Sequence, residues 1–102
     1  MRDVVIVDSV RTGLTKAFRG SFNLTRSDDM LAHCIDSLLD RNPNLSPEEV
    51  EDVVVGAATH AGEQDGNLAR LAVVLSKLPI TVAGVSINRF CSSGLQAIAI
   101  AA

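Results

Sequence analysis

The chain contains three short runs of mainly apolar residues. Val4–Asp8 is rich in β-branched residues, and Val53–Ala57 and Ala83–Asn88 have the same character. An apolar run of about four to eight residues is typical of a strand covered on both faces, as in a parallel sheet. The pattern therefore predicts three buried strands.

Apolar residues recur at helical spacing between these runs. Ser27–Asn42 and Asn67–Lys77 each place them on one stripe, and Leu95–Ala102 is apolar almost throughout. Ser46–Glu49 reads Ser-Pro-Glu-Glu, a capping box that predicts a short helical turn. The mixed segment Arg11–Arg26, with its glycines and charges, is expected to be a long loop.

The ends of the first helix are marked by polar residues. Ser27 is placed to cap it, and Asp28 and Asp29 suit the positive end of the helix dipole. At the other end, Asn42 and Pro43 stop it, because the residue before a proline avoids helical geometry.

The order strand, helix, strand, helix, strand, helix predicts an α/β layered fold. Its strands would be parallel and joined by right-handed crossovers, so the sheet is parallel-rich with alternating helices. Binding sites in such sheets gather at the carboxyl ends of the strands. The loops after Asp8, after Ala58 and around Cys91 are predicted to lie at that edge.

The composition of the chain argues against several classes of protein. The 102 residues provide one small domain at most, and 47% of them are hydrophobic. The net charge is -3 and the basic residues are scattered, which argues against a nucleic-acid partner. No run approaches the ~20 apolar residues of a membrane span, and no cleavable leader is evident. Two cysteines in separate elements favour a reducing, cytoplasmic compartment.

Cys91 is the strongest candidate for chemistry. It lies between the third predicted strand and the last predicted helix, where unpaired backbone N–H groups and the positive helix end stabilise a thiolate. A thiolate there is a candidate nucleophile toward a carbonyl carbon, and the backbone N–H of Cys91 could help to hold the developing oxyanion. The alternative is a buried, inert cysteine, which is common in protein cores.

The other cysteine and the histidines favour structural interpretations. Cys34 lies on the apolar stripe of the first helix and is expected to be a core residue. His60 follows the second strand and could act as a base for Cys91, although an ordinary loop histidine is the favoured interpretation. His33 is expected at the boundary of its helix. The cysteines lack metal-ligand spacing, so a zinc site is rejected.

The charged residues of the loops also favour structural interpretations. Arg11 could bind an anion, although a structural ion pair is the more common role of such a residue. Glu63 and Asp65 are expected to face solvent. The glycine-rich segment Gly62–Asn67 lacks both the Lys-Ser/Thr of a P-loop and the glycine spacing of a dinucleotide fingerprint.

The segment around Cys91 resembles the nucleophile segment of the thiolases, the acetyl-CoA acyltransferases. It reads Asn-Arg-Phe-Cys-Ser-Ser-Gly-Leu-Gln-Ala from Asn88 to Ala97. Ketosynthases share the fold but usually show Ala-Cys-Ser-Ser and lack the Asn-Arg pair. The chain resembles the family in order and spacing at three further places: Val5–Thr12, the stretch from Gly62-Glu63-Gln64 to Asn67 and Ala69-Arg70, and Leu78-Pro79.

The resemblance implies that Cys91 is the catalytic nucleophile of an acyltransferase. Cys91 would attack the 3-keto carbon of a 3-ketoacyl-CoA, the C2–C3 bond would break, and acetyl-CoA would leave. The shortened acyl group would stay on Cys91 until the co-substrate CoA accepts it, as in fatty-acid β-oxidation. The activating histidine, a second cysteine and most CoA contacts belong to the family's C-terminal half. No permanently bound cofactor is implied.

The resemblance covers essentially the whole chain. It implies that residues 1–102 form an incomplete N-terminal thiolase domain, the half with the nucleophile, with the C-terminal domain absent. The last helix reaches Ala102 without a cap, which also predicts a piece of a longer protein. Alone, the chain is expected to be inactive. The family forms homodimers or tetramers, and Val85–Asn88 is the expected dimer contact.

Three alternatives stay open at this point. The sequence leans toward degradative 3-ketoacyl-CoA thiolases, and the first alternative is a biosynthetic acetoacetyl-CoA thiolase. The second is a non-catalytic, thiolase-derived module that binds lipid or a partner chain. The third is a redox-sensing thiol at Cys91, for which Cys34 on a core face would be a poor resolving partner.

Overall fold

The computed structural model describes residues 2–102, so Met1 lies outside the described residues. The chain forms an α/β fold in which helices alternate with two parallel strands, as the sequence pattern predicts. The elements are α1 Ser27–Arg41, β1 Asp52–Gly56, α2 Leu68–Leu75, β2 Ala83–Ile87 and α3 Ser93–Ala101, with short 3₁₀ turns at Pro47–Glu49, Gly62–Gln64 and Phe90–Ser92.

Helices cover both faces of the two-stranded sheet. In the parallel register of the sheet, Val53 pairs with Gly84 and Gly56 pairs with Ile87. Paired residues share a face, and Val53 and Gly56 are three positions apart on β1, so Gly84 and Gly56 belong to opposite faces. A Cβ at Gly84 would lie 2.8 Å from the backbone nitrogen of Arg70 in α2. At Gly56 it would instead meet the backbone at the start of α3. The sheet is therefore the middle layer between α2 and α3.

The hydrophobic core lies on the α2 side of the sheet. Its centre is formed by Val73, Leu78 and Val82, all buried, and each such side chain contributes about 1.5–3 kcal/mol when fully buried. The partly buried side chains around this centre come from α1, β1 and the turn between them: Ile35, Leu39, Val50 and Val53. The core thus joins α1 and α2 to one face of the sheet.

The predicted first strand is wrong. Val4–Asp8 is not paired with β1 or β2, and the side chains of Val4 to Val7 are 62–80% exposed. A strand requires ladder partners from elsewhere in the chain, and local apolarity cannot supply them. The segment is instead tied to the end of α1, where Asp8 accepts hydrogen bonds from Arg41 (2.8 Å) and Asn42 (2.9 Å).

Ser27 does not cap α1, contrary to the sequence-based expectation. Arg26 occupies the capping position, and the backbone N–H of Ser27 donates to Oε1 of Glu63 at 2.6 Å. The prediction of a solvent-facing Glu63 is therefore also wrong, since this carboxylate caps α1 from 36 residues away. The hydrogen bond from the Ser27 backbone lowers the pKa of Glu63 below its ordinary value.

Asp28 is the buried acidic residue of the first turn of α1, with 4% of its surface exposed. Its two carboxylate oxygens accept from Arg26 Nε at 3.0 Å and from Arg26 Nη2 at 2.8 Å. This paired hydrogen bond lowers the pKa of Asp28, because it favours the charged carboxylate. Burial of Asp28 is compatible with the fold only while the pair is intact.

Two other predicted helix boundaries shift by a few residues. α2 begins at Leu68 because Asn67 is its cap, accepting from the backbone N–H of Arg70 at 3.3 Å. It ends at Leu75, with Ser76 as C-cap, rather than at Lys77. The capping box at Ser46 is confirmed, since the backbone N–H of Ser46 donates to Glu49 at 3.0 Å.

The loop prediction for residues 11–26 is confirmed, because this segment contains only turns before α1. Within residues 2–102, none of the helices has the length and apolar character that crossing a bilayer requires.

Acid should destabilise the fold through Asp28 and Glu63. Their folded-state pKa values are depressed, so their contribution is complete above the unfolded-state pKa and is lost as pH falls through the folded-state value. We expect Asp28→Asn to lower the free energy of unfolding at pH 7 and to flatten its decline between about pH 5 and pH 2. Urea titrations across this range measure both effects.

The matched control is Asp29→Asn, at an exposed neighbour in the same helical turn that forms no ion pair within residues 2–102. It should leave the acid dependence unchanged. An equal slope for wild type and Asp28→Asn would contradict the role given to the Asp28–Arg26 pair.

Candidate active site

Cys91 lies in the 3₁₀ turn Phe90–Ser92, between the end of β2 and the start of α3, and it is exposed. The sequence predicted this strand–turn–helix placement, although α3 begins at Ser93 rather than at Leu95. The thiol therefore stands at the carboxyl edge of the sheet and at the amino end of a nine-residue helix. Within the described residues Cys91 is exposed, which is contrary to the buried position of the alternative interpretation.

Most backbone N–H groups of the turn around Cys91 form hydrogen bonds within the same segment. Asn88 Oδ1 accepts from the backbone N–H of Phe90 at 2.8 Å, and Arg89 O accepts from the N–H of Ser92 at 3.1 Å. Within residues 2–102, no hydrogen bond from the backbone N–H of Cys91 is found. An exposed thiol and a free N–H on the same residue have the chemistry to act together as a nucleophile and an oxyanion donor.

A close backbone contact fixes this turn against the sheet. Gly56 at the end of β1 faces Ser93 and Gly94, and a Cβ there would lie 2.7 Å from the Gly94 nitrogen and still nearer the carbonyl of Ser93. Only hydrogen at that position lets the first turn of α3 approach the strand so closely. The position of Cys91 relative to the sheet therefore depends on Gly56.

Side chains join the loops at the ends of the two strands. His60 Nε2 lies 2.7 Å from Ala57 O and 3.3 Å from Ile87 O, so it contacts the carboxyl ends of both strands. Carbonyl oxygens only accept, which means that Nε2 holds the proton. Asn88 Nδ2 adds a hydrogen bond to Ala58 O at 3.3 Å. This nitrogen of His60 links the strands, as expected of a structural loop histidine, and is not free to act as a base.

The remaining candidates from the sequence lie away from the Cys91 turn. Cys34 is half-buried on α1 rather than enclosed in the core, and His33 is exposed. Arg11 is exposed and belongs to none of the ion pairs found within the described residues, so the expected structural pair is wrong. Asp65 is exposed, as predicted, and accepts from the backbone N–H of Gly66 at 2.7 Å.

A cavity of about 790 Å³ lies elsewhere, between the N-terminal segment and the second half of α1. Its lining is mainly aliphatic and includes Ile6, Val7, Leu38 and Leu39, with no residue from the Cys91 turn. It lies where the apolar N-terminal segment is tied to the end of α1 by Asp8 and by the backbone carbonyl of Ser9, and does not pack as a strand. We assign it no chemistry.

The residues that shape the turn were not predicted from the sequence. Asn88 directly follows a strand, and an Asx turn to residue 90 is a typical use of asparagine there, so that signal was present. Gly56 and Ser93 gave no comparable signal, because their importance arises from a contact between residues 37 positions apart in the chain. His60 was identified as a loop residue, but its link to Ile87 was not predicted.

Comparison with known proteins gives matches to a single family. The family model for the thiolase N-terminal domain matches residues 4–102. A 3-ketoacyl-CoA thiolase of Aeromonas salmonicida is 44% identical over 98 residues, which is 96% of this chain and 25% of that protein. Proteins of the same name from Pseudoalteromonas atlantica and Idiomarina loihiensis are 41% and 42% identical, with the same coverage of both chains.

The chain belongs to the thiolase family. It spans about a quarter of the length of the curated relatives it matches. The match confirms the resemblance drawn from the segment around Cys91.

Gly56→Ala should disturb the site as well as the fold. The added methyl meets backbone, which cannot rotate away, so α3 must move, at a cost of about 1–3 kcal/mol. Because Cys91 lies two residues before the start of α3, its alkylation by iodoacetamide in the folded protein should change in rate. Pulsed alkylation with peptide mass spectrometry measures that rate, and urea unfolding measures stability.

Gly84→Ala is the matched control, since it also forces a methyl toward a helix backbone but on the opposite face of the sheet. It should also reduce stability, by less than Gly56→Ala because its nearest backbone contact is longer, at 2.8 Å, and it should leave the alkylation rate of folded Cys91 unchanged. Identical Cys91 rates in wild type and both variants would show that the Gly56 contact does not position the turn.

Proposed function

We propose that this chain provides the nucleophile of a thiolase that cleaves 3-ketoacyl-CoA with CoA, with Cys91 as the residue that carries the acyl group. The observation that carries the proposal is the exposed Cys91 thiol beside its own free backbone N–H, at the amino end of α3. The printed names of the relatives, 3-ketoacyl-CoA thiolase, support this substrate class.

The proposed reaction has two half-reactions. The Cys91 thiolate adds to the 3-keto carbon, and the oxygen that becomes negative is placed to receive the Cys91 N–H. The C2–C3 bond then breaks, its electron pair passes to C2, and acetyl-CoA leaves after C2 takes a proton. The thiol of CoA next attacks the acyl-Cys91 thioester, releases the shortened acyl-CoA and returns the cysteine.

The proposed reaction needs a base for the thiol and a proton donor for C2. His60 Nε2 is engaged with two carbonyl oxygens, so it does not serve as that base. By the family resemblance, a histidine and a second cysteine from a C-terminal domain serve these roles. An isolated 102-residue chain would then lack thiolysis activity, since a nucleophile without its base loses most of the rate.

The same proposal includes the surroundings of the site. α3 exposes large apolar side chains, with Leu95 74%, Ile98 58% and Ile100 51% exposed, which suits cover by a further domain. β2 pairs only with β1 within residues 2–102, so its other edge is available for the expected contact of a homodimer or tetramer at residues 85–88. The two free thiols suit a reducing compartment such as the cytoplasm.

Cys91→Ser in the complete encoded protein should abolish thiolysis of 3-ketoacyl-CoA, because a serine hydroxyl does not ionise near neutral pH as a thiol does. The rate of thiolysis is measured as acetyl-CoA release from acetoacetyl-CoA and from a longer 3-ketoacyl-CoA. Cys34→Ser is the matched control, since Cys34 lies on α1 away from the turn, and it should retain activity. Wild-type thiolysis by Cys91→Ser would disprove the proposal.

A further inference from the structure

We propose that Ser93 is a positioning residue for Cys91, holding the turn in the one conformation that leaves the Cys91 thiol and backbone N–H open. The expected effect of Ser93 on kcat rests on the proposed function. The expected effect of Ser93 on the conformation of the turn rests only on the contacts of its hydroxyl.

The Ser93 side chain is buried at the centre of the turn, with 3% of the residue exposed. Its hydroxyl oxygen accepts from the backbone N–H of Arg89 at 2.7 Å and donates to the backbone O of Phe90 at 2.7 Å. Both donor and acceptor capacity are therefore used within the segment that contains Cys91. The two bonds tie the entry of the turn to the first residue of α3.

These bonds stabilise an uncommon backbone conformation. Phe90 has φ +48°, in the left-handed region that residues with a side chain seldom adopt. Its carbonyl is held by Ser93 and its N–H by Asn88. Strain of this kind persists only where surrounding contacts over-determine it, and here it directly precedes Cys91.

The hydroxyl also decides which backbone group of the turn stays free. Arg89 N–H is used by Ser93, Phe90 N–H by Asn88, and Ser92 N–H by Arg89 O. In the part of the chain that the structure describes, this leaves the Cys91 N–H as the unpaired donor of the turn. That donor is the one the proposed oxyanion needs.

Ser93 is itself held in place by the sheet. Its backbone carbonyl lies against Gly56 at the end of β1, on the side of the sheet that α3 covers. A continuous set of contacts therefore runs from β1 through Ser93 to the turn. The Ser93 hydroxyl lies inside this set and is buried, so it acts through Cys91 rather than by touching substrate.

Ser93→Ala in the complete encoded protein tests the inference, with peptide-resolved iodoacetamide alkylation and thiolysis kinetics as readouts. Without the hydroxyl, the Arg89 N–H and Phe90 carbonyl lose their partner and the turn can relax. We expect slower alkylation of Cys91 and a kcat lower by about ten- to a hundredfold, because small misplacements of reacting groups have effects of that size. KM should stay within about twofold, since Ser93 does not bind substrate.

Two variants isolate the hydroxyl. Ser93→Thr keeps it and should restore most of both rates. Ser92→Ala removes the neighbouring hydroxyl, which is exposed and forms no hydrogen bond within residues 2–102, and should behave as wild type. Alkylation of half-buried Cys34 reports unfolding in every sample and should not change.

Wild-type values of Cys91 alkylation and kcat in Ser93→Ala would overturn the inference. Equal losses of these rates in Ser93→Ala and Ser93→Thr would also overturn it. So would faster alkylation of Cys34 in Ser93→Ala, because unfolding would then account for the lower kcat. If wild type itself shows no thiolysis, the proposed function fails. The alkylation rates of Cys91 would still decide whether Ser93 holds the turn.

Discussion

The architecture of the candidate site depends on one close contact, between the end of β1 and the first turn of α3. Gly56 has no side chain, so the backbone of Ser93 and Gly94 rests directly on the strand. This contact sets where α3 begins relative to the sheet. The turn Phe90–Ser92, which contains Cys91, connects the end of β2 to the start of α3.

The polar contacts of the site extend this constraint along the edge of the sheet. His60 links the carbonyl of Ala57, directly after β1, to the last carbonyl of β2. Asn88 connects the next loop to the start of the turn. The buried Ser93 hydroxyl then closes the turn from inside. A rigid edge of this kind suits the proposed acyl transfer, in which the thiol and the N–H of Cys91 would have to keep one relative orientation as charge develops.

Local patterns were reliable where local forces decide the structure. The helical stripe of α1, the capping box at Ser46 and the strand–turn–helix placement of Cys91 could all be predicted, because each depends on residues a few positions apart. The start of α2 was predicted to within one residue, since Asn67 is the cap of the helix rather than its first residue. The family could be recognised for the same reason, since the motif around Cys91 is contiguous.

Contacts between distant parts of the chain could not be predicted in this way. Val4–Asp8 has the composition of a strand but has no ladder partner within residues 2–102, so its apolarity was misleading. Ser27 has the chemistry of a cap, yet Glu63 occupies that role from a loop far along the sequence. The dependence of the turn on Gly56 belongs to the same class, because it exists only once β1 and α3 are packed together.

The most direct test of the central claim is the mass of the Cys91 peptide during turnover. The complete encoded protein is mixed with a 3-ketoacyl-CoA in the absence of free CoA, quenched in acid and digested. The account predicts a peptide containing Cys91 that is heavier by the shortened acyl group and returns to its original mass when CoA is added. An unmodified Cys91 peptide, with the acyl group on a different residue while acetyl-CoA is released, would contradict it.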